Sequence, residues 1–202
     1  MKTSKLRRRS AGFSLVELLI VVVIIMVVSA IAAPNVMQAY ANFRLRSAVT
    51  AQAQMLQRVR MKALNNNRIE KLGFTWNWTG TFYYVTTFVE DDPANWTIDA
   101  SERDVVAQMP TNMWYGSGPD TSTMQLDFVP QNLWWAMGFD AQGNPCYWDF
   151  AGGCATTYGG QPVGFVYYLY QMNNWNPTSY AAITVSPSGR VRTWTWSGTR
   201  WQ

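Results

Sequence analysis

Arg8-Arg9-Ser10-Ala11-Gly12-Phe13-Ser14-Leu15-Val16-Glu17-Leu18-Leu19-Ile20, followed by an apolar run that ends at Ala33, is the stretch that decides the architecture of this chain. A basic leader (Lys2, Lys5, Arg7, Arg8, Arg9) stops at Gly12, and residues 13–33 read as one apolar helix. About 20 residues at a 1.5 Å rise cross a bilayer core, so this segment is long enough to span it. The leader's five basic residues predict a cytoplasmic leader and an external C-terminal bulk. The span contains one acid, Glu17. A carboxylate inside a membrane helix costs roughly 2.5–3.5 kcal/mol at the span centre, so Glu17 needs a partner or an interface to reach.

The run Gly12-Phe13-Ser14-Leu15-Val16-Glu17-Leu18 resembles the class III signal of type IV pilins and of the pseudopilins of type II secretion. The resemblance implies cleavage after Gly12 by a prepilin peptidase and N-methylation of the new terminal Phe13. It also implies that Glu17 pairs with the terminal amine of a neighbouring subunit during filament assembly, which brings two costly charges together. Three other readings compete. A secretory signal would have a shorter apolar core, although Ala30-Ile31-Ala32-Ala33 mimics its cleavage site. A plain signal anchor has no use for Glu17, and a buried soluble helix seldom runs so apolar for so long. The acid next to the Gly-Phe junction favours the pilin-like reading.

Pro34 closes the apolar run, and inside a helix it removes a hydrogen bond and clashes with the preceding turn. It therefore marks a predicted kink, a place where the resembled filaments are locally unwound. Beyond it, Leu45, Ala48, Val49, Gln52, Met55, Leu56, Val59 and Ala63 recur at helical spacing, a stripe that should face a head. Asn65-Asn66-Asn67 is the expected stop. The expected organisation is a leader (1–12), a transmembrane half-helix (13–33), an amphipathic half-helix (34–65) and a β-rich head (66–202). The fold class is α+β, pilin-like, with a long N-terminal helix packed on an antiparallel head.

In the head, strands are expected at 74–78, 81–89, 105–108, 123–129, 133–139, 163–171, 180–185 and 190–196. Pro187-Ser188-Gly189 reads as the turn joining the last two. Charge is segregated along the chain. Residues 34–71 hold seven basics and one acid, while residues 72–202 hold four basics and ten acids. Without the leader, 11 basics face 12 acids, so the precursor's net +4 becomes −1. A basic stalk under an acidic head suggests head-to-stalk attraction between stacked subunits, against simple solvation or lipid-headgroup contact for Arg44 and Arg46. Cys146 and Cys154, the only cysteines, read as a disulfide formed outside the cytoplasm.

With no histidine, His-based triads and His metal sites are excluded, and two thiols alone make a poor metal site. Glu90, Asp91, Asp92, Asp99, Glu102 and Asp104 lack calcium-loop spacing and read as a solvated acidic loop. The chain reads as a non-enzyme with no catalytic residue, no cofactor, no metal and no small-molecule substrate.

Gly189-Arg190-Val191-Arg192 resembles the C-terminal element of the GspH/FimT-like minor pilins and pseudopilins, some of which bind DNA through the two arginines. Arg190, Arg192 and Arg200, interleaved with Trp194, Trp196 and Trp201, are thus a candidate DNA strip. The alternative puts those indoles in the core and uses the strip as a subunit contact. All eleven tryptophans lie in the head, more than one small core needs, so exposed ones for subunit contacts or, more weakly, for glycan binding are expected. The expected partners are other pilin or pseudopilin subunits, prepilin peptidase and an inner-membrane assembly platform. The expected location is the inner membrane, single-pass with a periplasmic head, and then the filament.

Overall fold

The computed structural model describes residues 14–79, 82–90, 100, 107–132, 137–148, 153–173 and 176–202. The chain divides into two compact units, Met1–Tyr40 and Ala41–Gln202. A long helix, α1 (Leu15–Asn66), starts in the first and ends in the second. In the first unit it exposes Leu, Val and Ile on every side, the surface of a helix that is apolar all round. It is the one described helix long and apolar enough to cross a membrane. Pro34 lies within it, so the Ala30 carbonyl lacks its usual helical donor.

In the second unit, all eight residues of the predicted stripe are buried. The helix stops at Asn66, and Asn67 takes a positive φ of 50°, a conformation asparagine tolerates better than most residues. The head follows as antiparallel strands. One sheet holds β1 (Glu70–Thr79), β2 (Phe82–Glu90), β3 (Ala107–Gln108), β5 (Met137–Phe139), β6 (Pro145–Trp148) and β7 (Cys154–Ala155), in the order β3-β2-β1-β5-β6-β7. The second sheet holds β4 (Met113–Gly116), β10 (Phe165–Asn173), β11 (Asn176–Val185) and β12 (Val191–Thr195), in the order β12-β11-β10-β4. A two-stranded ribbon, β8 (Thr157–Tyr158) and β9 (Gln161–Pro162), stands apart from both sheets.

The second sheet has two covered faces. Phe165, Tyr167 and Leu169 of β10, with Ala181 and Ile183 of β11, join the α1 stripe and Leu72, Phe74 and Tyr115 in the main core. The alternate residues Val166, Tyr168 and Ala182 face a smaller core with Met124 and Trp201. This two-sided burial explains why β10 and β11 read as nearly continuous apolar runs rather than strict alternations.

The expected strand at 123–129 does not form. Its alternation is real: Met124 is buried and Leu126 and Phe128 are half-buried, while Gln125, Asp127 and Val129 are exposed. The segment instead begins with a 3-10 turn (Thr121–Thr123) and covers the second face of β10 without joining a ladder. Gln131 ties it down, since its backbone N–H donates to the Gly164 carbonyl and its side-chain carbonyl accepts from the Gly164 N–H. Of the expected strands at 105–108 and 133–139, residues 105–106 and 133–136 lie outside the described residues; 107–108 and 137–139 are strand.

Candidate functional site

At the start of α1, the Ser14 backbone N–H donates to a Glu17 carboxylate oxygen at 3.3 Å. Ser14-Leu15-Val16-Glu17 has the spacing of a capping box, a local role for Glu17 that the sequence reading passed over. A carboxylate in the first turn also faces the positive end of the helix dipole. The carboxylate is exposed and so remains open to a further cation. Gly12 and Phe13 lie outside the described residues.

Cys146 and Cys154 form a disulfide, with Cα atoms 5.3 Å apart. It ties β6 to β7, the last two strands at one end of the six-stranded sheet.

Four of the seven basic residues of the stalk, Arg44, Arg60, Arg68 and Lys71, are bonded or buried within the subunit. Arg44 donates to the backbone carbonyl and the hydroxyl of Thr111, both at 3.0 Å. The Arg60 guanidinium spans two turns of the head: Nε donates to the Gly143 carbonyl at 2.9 Å, Nη1 to Gly189 at 2.9 Å and Nη2 to Ser188 at 3.3 Å. Arg68 pairs at 2.7 Å with Glu70, whose side chain is buried, and Lys71 is buried too. This corrects the reading of a simply solvated stalk at Arg60, Arg68 and Lys71, while Arg46 and Arg58 are exposed.

The Gly189 of the Gly-Arg-x-Arg element sits at φ +77°, and a Cβ there would lie 2.7 Å from the Arg60 guanidinium carbon. The positive φ alone disfavours any side chain at this position, a structural reason for glycine independent of the motif. Arg190 and Arg192 are exposed and share a depression of about 390 Å³ with Ser186, Ser188 and the carboxylate-bearing Asp127. Arg200 is exposed in the 197–200 turn and does not line that depression.

The indoles beside these arginines are occupied. Trp194 is half-buried and donates its ring N–H to the Thr184 hydroxyl at 2.9 Å. Trp201 is buried and donates to the Asp120 carbonyl at 2.9 Å, with the Trp196 ring 5.1 Å away. Trp114 is half-buried as well, and none of the four described tryptophan side chains is largely exposed. The other seven tryptophan side chains and the acidic run 91–99 and 101–106 lie outside the described side chains.

Residues 7–33 match the family model of the prokaryotic N-terminal methylation motif. That motif characterises type IV pilin-like precursors and implies contact with other pilin subunits and with a prepilin peptidase. No curated protein and no solved structure matches the chain significantly.

Proposed function

We propose that this chain is a structural subunit, a minor pilin or pseudopilin of the GspH/FimT-like kind, of a type IV pilus or a type II secretion pseudopilus. A prepilin peptidase cuts after Gly12, and Phe13 becomes the methylated terminus. The subunit waits in the inner membrane on residues 13–33 with its head in the periplasm. An assembly platform then draws it into a filament. Pro34 is the point at which the helix yields during that step. The observation that carries this reading is the methylation motif over 7–33, running directly into an apolar α1 whose one membrane acid is exposed.

The test is Glu17→Ala. The variant should be cleaved normally and fail to enter filaments, measured by sheared-fraction immunoblot. Normal incorporation would overturn the assembly role of Glu17.

A second reading is DNA uptake through Arg190 and Arg192, favoured by their exposure in one depression. Arginine pairs grip phosphate well. The acidic head and the nearby Asp127 oppose it. A gel shift with the 41–202 unit decides: salt-sensitive retention lost in the double Arg→Ala variant supports DNA contact, and no retention leaves the structural role alone.

A further inference from the structure

β12 is an edge strand of its sheet, and its outer side is only partly covered. Thr195 exchanges both backbone hydrogen bonds with Gln202, each near 3 Å, while the Trp196 N–H donates inward to the Tyr180 carbonyl. Backbone groups alternate in direction along an antiparallel strand, so those of Thr193 and Val191 point outward as those of Thr195 do. They have no partner among the described residues. Unpaired edge groups of this kind are templates for an added strand.

That edge borders a groove of about 680 Å³ between β12 and the second half of α1. Its floor is apolar on the α1 side, where Ala53 and Val191 are partly buried against the main core. Its rim carries Gln54, Gln57, Arg58 and Arg192, all exposed; no Asp or Glu side chain lines it, and Gln202, paired with Thr195, closes one end. The chemistry is that of a seat for an extended segment with apolar side chains below and acids along its length. One stretch of the chain's own sequence has that character. Residues 90–104 contain six acids and one arginine, a net −5 that is most of the head's −6, around the β-favouring triplet Trp96-Thr97-Ile98.

We propose that the α1–β12 groove binds residues 90–104 of a second copy as an added strand, with Arg58 and Arg192 facing its carboxylates. Thr193 and Val191 supply the ladder, and the two guanidinium groups set polarity and register. This contact lies in the head and does not depend on pairing by Glu17.

The test uses the full chain in detergent micelles and a fluorescent peptide of residues 90–104, followed by anisotropy. The peptide should bind saturably, and binding should weaken at least tenfold when Arg58→Glu and Arg192→Glu are combined. Arg58→Lys with Arg192→Lys should retain most of the binding. Thr193→Pro, which removes one outward N–H, should abolish binding while the thermal melt shows a folded head. No binding, equal binding of a peptide with its acids replaced by amides, or binding indifferent to Thr193→Pro would each overturn the proposal. So would retention of a DNA duplex by the same arginines in a chain that ignores the peptide.

Discussion

Arg60 shows what a single residue does in this head. Its guanidinium reaches carbonyls from turns 46 residues apart in sequence, Gly143 and Gly189, so the helix fixes two loops at once. Hydrogen bonds from charged groups contribute about 1.5–3 kcal/mol. Arg60→Ala should therefore lower the urea stability of the 41–202 unit by about 2–3 kcal/mol, and Arg60→Lys should recover only a part. A single ammonium cannot span both turns. None of this was legible in the sequence, where Arg60 is one cation among seven and its acceptors are main-chain atoms. The same blindness applied to Lys71. Charge counting assigns it to a solvated stalk, but it belongs to β1, which is paired on both sides by β2 and β5 and buries both Glu70 and Lys71. Gly189 teaches the converse lesson. Its place in a short recognisable motif suggested function, and its positive φ beside Arg60 supplies a structural reason for it.

At the scale of elements, legibility followed the strength of the local period. The α1 stripe was readable residue by residue because burial on one side of a helix imposes a 3.6-residue repeat. The β11–β12 pair was readable because Pro187-Ser188-Gly189 separates its two runs, and β10 was readable as a long run of its own. The segment 123–129 was misread because alternation reports which side of a chain is covered, not whether its backbone finds a ladder. β4 was missed for the opposite reason: four residues, Met113–Gly116, are too few to establish a period, yet they pair with β10 and bury Met113 and Tyr115. The β6–β7 staple closes a short loop, for which the chain-entropy account gives about 2.5 kcal/mol. Reduction, or Cys146→Ser with Cys154→Ser, should lower the denaturant midpoint of the 41–202 unit accordingly. An unchanged midpoint would show that packing alone holds β7.

For the molecule as a whole, its buried phenols define an alkaline limit. Tyr168, packed 5.8 Å from the Trp201 ring, has its pKa pushed from an ordinary 10.0 up to about 12 by burial and then by the nearby Asp120 charge. Burial also raises Tyr115, Tyr167 and Tyr170. A raised folded-state pKa means that both states hold the proton below about pH 10, where the contribution is complete. Above that the unfolded chain ionises first, and stability is lost as pH climbs through 12. Melting temperature should stay level up to about pH 10 with respect to these groups and then fall, less steeply in Tyr168→Phe. The attachment of α1 to the head has a mechanical meaning as well. Within the 41–202 unit, Arg44, Arg60 and the buried stripe grip the head at successive points along the helix, so tension drawn along α1 loads them together in shear. Forced unfolding is governed by the unfolding rate rather than by equilibrium stability. A pulled subunit thus resists by how slowly several grips let go at once, and cutting Arg60 should shorten that lifetime under load.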